Sequence, residues 1–513
     1  MPVDLEYCQS QFETIRNTNN MEKNQKYLYG AAVQGIQSFI FQTNELKDII
    51  GASELVEMIC TDFFKEFVCR GELVVSAAGN IKCIYDDEQE CRNAVLLFPK
   101  KVMEAAPGIT ISEAVVPFTD DSEFTEAVEE LENRLRIQRN KPFPSITTGL
   151  MGMERSRKTG LPAVKVEKGE YLDRSTVNKR ERGLKTSSEL YKKFGIDGID
   201  IKAMALNVDD MTGDNSWLAI IHADGNGLGD IVSKIGKDKE LLKEFSSGLN
   251  KATERACQKA YLHTISDKNY IEGNSVLPFR PIILGGDDLT LICRGDLALP
   301  FTRSFIQNFE EQTQVMLGNL KTRTGKISLN KLTACAGIAF IKSSYPFYYG
   351  YDLAETLCGI AKKDTKKSGE VPPASCLMFH KVQSSFIEDF NEIVKKELTP
   401  CPNHSFVFGP YYLAERPGRW TVDELLEKAE KLNGKAGNAV KSDVRQWMTL
   451  MSESYNKAEQ KVQRVKDISS KHDKDLFESI IKGFIRNVDH NCIQTVHPAY
   501  DTLVIHTINN QII

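Results

Sequence analysis

Three aspartates stand at two turns of this sequence. Asp287 and Asp288 end the segment Gly285-Gly286-Asp287-Asp288, which joins two apolar runs over 281–284 and 289–293. Asp224 ends a third apolar run, 217–223, and opens Gly225-Asn226-Gly227-Leu228-Gly229 ahead of an amphipathic stretch. Adjacent carboxylates repel each other and are tolerated when solvated or when they share a cation. Three of them at one point make a hard, oxygen-rich site suited to magnesium or manganese. A glycine-rich turn feeding a helix offers backbone amides to phosphate. Metal and phosphate cradle together are the equipment of nucleotide chemistry. Lys362, near a helix end, supplies a cation within reach of a triphosphate.

For that chemistry the two turns must meet, and the order of elements says how. Periodicity predicts a strand over 217–223, a helix from 230 to about 263, a strand–turn–strand over 281–293, a strand over 331–341 and a helix over 352–363. In a ferredoxin-like β-α-β-β-α-β sheet the first strand lies beside the third, which sets Asp224 next to Asp287 and Asp288. An earlier stretch has the same order: a strand over 27–33, a helix over 37–67 broken near Gly51, a strand–turn–strand over 73–85, a helix over 88–105 and a strand over 109–117. The halves align as a repeat in which Val33 takes the place of Asp224, and Gly79 and Asn80 the places of Asp287 and Asp288. Carboxylates are present in the second copy alone.

The rest of the chain frames these halves. With 65 basic and 70 acidic residues the net charge is -5, so an RNA or nucleotide site has to be a local patch. No apolar run reaches the roughly 18 residues of a membrane span, and no apolar signal core opens the sequence, so no membrane association and a cytoplasmic location are expected. The 12 cysteines are scattered without a CxxC pair and read as buried thiols. Between residues 154 and 193, 12 Lys/Arg face six Asp/Glu. That segment reads as a mobile basic connector, or as a flap whose Arg155, Arg157, Lys158, Lys179 and Arg180 touch phosphates. His222 is expected to face away from Asp224 into the core. His472-Asp473 reads as a charged helix start. Beyond about residue 385 the chain reads as helical, with Lys441 and Arg445 on one helix face that borders the nucleotide cleft.

Several segments resemble the palm-domain polymerase/cyclase family of type III CRISPR large subunits. HADGNGLGDI (222–231) resembles its first metal motif and ILGGDDLTLIC (283–293) its GGDD hairpin. AGIAFIKSSYPF (336–347) with ETLCGIAKKDTKK (355–367) resembles the later strand and helix shared with GGDEF cyclases. GAAVQGIQSFIFQTNELKDIIGASELV (30–56) resembles the degenerate first palm. The resemblance implies that Asp224, Gly225, Asp287 and Asp288 hold two Mg2+ or Mn2+ ions. It implies that Gly225, Asn226, Gly227, Leu228, Gly229, Gly285, Gly286 and Lys362 hold an NTP, ATP being favoured, with a second nucleotide against Gln34 and Ser38. About 26 residues precede the first palm, so a compact form without the family's HD nuclease domain is expected. The family's zinc-binding cysteines between the palms are absent.

The expected architecture is α+β: a helical lead-in over 1–26, a degenerate ferredoxin-like palm over 27–149, a basic connector over 150–210, a catalytic palm over 211–385 and a C-terminal helical domain over 386–513. The expected activity is joining of NTPs by attack of a 3′-hydroxyl on an α-phosphate, giving a cyclic or oligonucleotide messenger in antiviral defence. RNA or CRISPR-like subunits would activate it and a messenger-binding effector would follow it. A catalytically silent RNA-binding scaffold and a cyclic mono- or dinucleotide product are the alternatives.

Overall fold

The computed structural model describes residues 25–68, 71–77, 79–119, 123–141, 152–183, 189–196, 211, 217–235, 238–266, 277–324, 329–383, 389–489 and 492–510. Nearly all of the expected lead-in lies outside the described residues. The first half contains β1 (Lys26–Gln34), α1 (Ile36–Ile40), α2 (Leu46–Met58), a π-helical turn (Ile59–Phe63), β2 (Gly71–Ala77), β3 (Asn80–Tyr85), α3 (Glu88–Ala105), β4 (Thr110–Phe118) and α4 (Phe124–Arg139). Its sheet order is β2-β3-β1-β4, the ferredoxin-like order. β1 buries Tyr27 through Ala32 in succession, as a strand covered on both faces must.

The helix expected to break at Gly51 runs straight through it. A Cβ at Gly51 would lie 1.6 Å from the carbonyl oxygen of Lys179, so this glycine serves close helix approach, not helix termination. The approaching helix belongs to the presumed connector, which folds as β5 (Ala163–Glu167), β6 (Glu170–Asp173), α5 (Arg174–Gly183) and α6 (Glu189–Lys193). The segment is docked on the first palm, and three of the five cations assigned to phosphate hold it there. Arg180 forks onto both oxygens of Asp48, 3.0 Å each. Lys179 donates to Phe39 O at 2.7 Å with its ammonium buried. Lys158 bridges Glu45 and Glu170. Arg155 donates to Gly160 O from an exposed position. Lys158, Lys179 and Arg180 are thus held by protein groups and the reading of the segment as mobile is corrected, while Arg182 and Lys193 of the same segment line a cavity between the palms.

The second half contains β7 (Trp217–Gly225), α7 (Leu228–Ile235), α8 (Lys239–Ser266), β8 (Phe279–Gly285), β9 (Asp288–Arg294), α9 (Gly295–Thr324), β10 (Ala334–Lys342), α10 (Phe347–Lys366) and β11 (Cys376–Lys381). The order β10-β7-β9-β8 repeats the first sheet, and β11 extends it beyond β10. The palms meet directly: Phe41 stacks on Tyr351 with ring centroids 4.7 Å apart, Asn44 caps the Phe347 amide at 3.1 Å, and the Ser53 hydroxyl donates to Ile282 O.

The repeat itself needs a one-residue correction. Both hairpins turn through two residues, which makes Asn80 the counterpart of Asp288. Asn80 pairs across β1 with Ala32, whereas Ala223 pairs with Leu289, leaving Asp224 to face Asp288 on the next rung. Ala32 therefore takes the place of Asp224, and Val33 is one rung further on.

The C-terminal region has α11 (Phe390–Glu397), β12 (His404–Ser405), β13 (Tyr411–Tyr412), α12 (Val422–Lys431), α13 (Gly434–Glu453), α14 (Tyr455–Ile468), α15 (Lys471–Ile481), β14 (Phe484–Asp489), β15 (Cys492–Val496) and α16 (Ala499–Asn509). It is not purely helical. β12, β15 and β14 form a small sheet, and β13 joins the edge of the second palm's sheet. Asp473 closes a helix N-cap with Ser470, the charged helix start read for His472-Asp473. No helix among the described residues is long and apolar enough to cross a membrane.

Candidate active site

The hairpin turn is Gly286-Asp287, with Gly286 at φ 62, a backbone setting that glycine adopts without strain. The Gly286 amide donates to Asn250 Oδ1 at 3.0 Å and its carbonyl accepts from Thr253 at 2.5 Å. α8 thus clamps the turn. Opposite, β7 continues through Gly225, where a Cβ would lie 2.9 Å from Asp287 Cβ. That close approach requires glycine and brings Asp287 into hydrogen-bonding contact with Asp224.

The carboxylates respond to their crowding. Burial, with repulsion from Asp224, raises Asp288 to about 8. Burial together with the charge of Asp224 and its hydrogen bond raises Asp287 to about 7. The Asp288 side chain keeps 27% of its surface exposed, yet its Oδ1 is buried without a hydrogen bond. His222 Nδ1 lies 3.4 Å from that oxygen, outside hydrogen-bond geometry, and 3.3 Å from Thr290 Oγ1. Desolvation lowers the pKa of His222, so it does not supply a fixed positive charge to the pair.

Lys362 projects from α10 and donates to both Asp224 Oδ2 and Gly225 O, the latter at 2.8 Å. Those are two of the oxygens expected to hold metal. Among the described residues no three acidic, histidine or cysteine side chains are already arranged as a metal cage. The donor set nonetheless suits a hard divalent cation: carboxylates with raised proton affinity, one of them with a buried oxygen lacking any donor, beside a strand-end carbonyl.

The other expected contacts separate into two groups. The Gly225–Gly229 loop is shorter than its glycines suggest, because α7 begins at Leu228. Gly227, at φ 72, makes the turn, and Cβ atoms at Gly227 and Gly229 would meet nothing within 4 Å. Asn226 instead points inward, its amide donating to Thr333 Oγ1 at 3.1 Å. A cavity of about 650 Å³ lies between the palms and is lined by Gly285, Asp288 and Asn250 from the second and by Gln37, Ser53 and Gly79 from the first. Gln34 is held by Ser112 at 2.6 Å and Ser38 bonds back to Gly35 O. Neither lines this cavity; Gln37, between them, does.

Asn250 was not singled out by the sequence, and His222 was read on the wrong strand face. The period of two places His222 on the same strand face as Asp224, so the expectation that it faces away is corrected. Arg445 borders a different cavity, beside Lys381 and Tyr500, and Lys441 contacts His506. Neither lines the space beside Asp288.

A family model described as "Cas10/Cmr2, second palm domain" matches residues 217–369, the stretch that carries all three aspartates and Lys362. The second palm is of the Cas10/Cmr2 type. Among solved structures, the fold that carries this Cas10/Cmr2-type palm is similar to a Csm1-Csm4 cassette in complex with pppApApA, at TM-score 0.53 and 15% identity over 96% of this chain and 70% of that one. It is similar also to the cassette with pppApA, at 0.52 and 14% over 97% and 71%. With cA4 the values are 0.51 and 14% over 96% and 70%. Against the AMPPNP complex the match spans 67% of this chain and 53% of that one. At these identities the likeness is one of fold. No curated protein matches the chain.

Proposed function

We propose that the chain is a divalent-metal-dependent nucleotidyltransferase that joins NTPs, ATP being favoured, into a cyclic or oligonucleotide messenger of antiviral defence. The observation that carries this reading is the meeting of Asp224, Asp287 and Asp288 at one end of the β7–β9 pair, with Asp288 opening into a cavity that both palms build. Asp224, Gly225 O, Asp287 and Asp288 would hold magnesium. When bound, the metal lowers the pKa of an attacking hydroxyl and neutralises charge on the triphosphate. The protein's own residues do the rest. α8 fixes the hairpin through Asn250 and Thr253, Lys362 carries a positive charge beside the strand end, and the first palm closes the cavity with Gln37 and Ser53. No side chain is needed as a dedicated base, because positioning and electrostatics supply most of the effect. The similar Csm1-Csm4 cassettes, in complex with linear and cyclic adenylates, support adenine and a place beside CRISPR-complex subunits.

The test is magnesium-dependent pyrophosphate release from each NTP, with products identified by mass spectrometry. Release from ATP by the wild type and its loss in Asp287→Ala/Asp288→Ala is the expected result. Wild-type turnover in that variant overturns the assignment. So does no release by the wild type with any NTP, with magnesium or manganese and with candidate RNA activators.

A further inference from the structure

The opposite end of the same sheet carries a second concentration of charge. Trp217 opens β7, and Asp224 stands seven residues further on, so the two ends are ~23 Å apart at about 3.3 Å per residue. The Lys381 ammonium lies 4.7 Å and the Lys342 ammonium 5.9 Å from the centroid of the Trp217 ring. Arg445 reaches the same place from α13 and lines a cavity of about 430 Å³ with Lys381, Gln383, Thr449 and Tyr500. A further cavity of about 540 Å³ shares Gln383, Thr449 and Tyr500 with it, so the two form one groove.

Among the described residues no carboxylate pairs with any of these three cations. Elsewhere on this chain lysines and arginines find acidic partners, as Lys331 does with Glu310 and Arg303 with Asp423. Lys381 is half-buried, and burial, Lys342 and Arg445 all lower its pKa. Like charges held together in a partly desolvated groove are unfavourable until an anion joins them. Thr449, the ring of Tyr500 and Gln383, whose amide donates to the Tyr500 hydroxyl at 2.8 Å, continue the groove beyond the cations, and Glu397 lines only the second cavity, which the cations do not line.

We propose that this groove binds the phosphate ester of a nucleoside, carried by a free nucleotide or by single-stranded RNA, with the phosphate on Lys381 and Arg445, Lys342 adding its charge beside them, and the base toward Tyr500. Three cations suit a phosphate, and an aromatic ring with amide and hydroxyl groups suits a base. The site is separate from the aspartate site, and its test does not need catalysis. Fluorescence anisotropy of the full chain in EDTA, which keeps divalent metal from the aspartates, measures binding of a labelled single-stranded RNA of about ten nucleotides and, in a second arm, of labelled ATP. Lys381→Gln/Arg445→Gln is expected to weaken at least one arm about tenfold and to lower the slope of log affinity against log salt by about two for RNA. Loss in the RNA arm alone identifies a strand, and loss in the ATP arm alone a free nucleotide. Arg445 is exposed on α13, so Arg445→Gln alone keeps the test valid should the double variant misfold, with about half the change in slope. Lys100→Gln/Lys101→Gln, on α3 of the other palm, controls for net charge. Unchanged binding in both arms by folded variants, or equal loss in the control, overturns the proposal.

Discussion

Replacing Asp288 with Asn should make the metal-free protein more stable, by an amount that depends on pH. Asp288 is raised from 3.8 to about 8 in the folded chain, while the unfolded chain keeps an ordinary aspartate. The folded state therefore holds this proton more tightly. Below about pH 4 both states are protonated and there is no penalty. Between about pH 4 and 8 stability falls as pH rises, and above 8 the penalty is complete. Each tenfold change in proton affinity is worth about 1.4 kcal/mol, so the span sets a ceiling of ~6 kcal/mol. That ceiling counts repulsion shared with Asp224 and Asp287, and the side chain keeps 27% exposure. A realised gain of about 1–3 kcal/mol is expected at pH 8.5, or roughly 2–4 °C of melting temperature per kcal/mol. The assay is thermal unfolding in EDTA at pH 5 and pH 8.5, wild type against Asp288→Asn, repeated with magnesium. The variant should gain at pH 8.5 and little at pH 5. Magnesium should stabilise the wild type more than the variant. A variant less stable than wild type at pH 8.5, or equally stabilised at both pH values, refutes the account of Asp288 as a strained, cation-seeking carboxylate.

Removing Lys362 as Lys362→Ala should reduce pyrophosphate release about 10–100-fold while magnesium-induced stabilisation holds or grows, because the ammonium no longer competes for Asp224; a weaker magnesium response would count against that competition. Gly51→Ala should lose several kcal/mol, about 3 or more in chemical denaturation, since a Cβ there would lie 1.6 Å from Lys179 O. Arg180→Ala leaves Asp48 buried without its partner and should lose about 3–5 kcal/mol by the same measurement. Ala32→Asp, which places a carboxylate at the counterpart of Asp224, should destabilise the first palm without adding activity, seen as a lower melting temperature with no rise in turnover.

The aspartates were legible because their signal is local: an apolar strand, a turn that only small residues fit, and acids where the turn ends. The sheet order followed from the alternation of strand and helix, and it correctly set β7 beside β9. What failed was information held between distant segments. Gly51 reads as a helix break until Lys179 is known to approach it. Arg180 reads as a phosphate ligand until Asp48, 132 residues earlier, is known to meet it. The β14–β15 pair was lost inside a helical reading because each strand is short. His222 is a different case, since counting by two along β7 would have found it, whereas the slip between Val33 and Ala32 needed the register between strands.

β13 adds only Tyr411 and Tyr412 to the second palm's sheet, but it does so where α10 ends. The Tyr412 hydroxyl and Arg419 both hold Asp364, at 2.7 and 2.8 Å, and Asp364 is two residues from Lys362. The compositional border near residue 385 is therefore not a mechanical one. A pull on the C-terminal helices is transmitted through β13 to the helix turn that carries Lys362. Removing the chain beyond that border would take away both partners of Asp364, even with every aspartate of the site left in place.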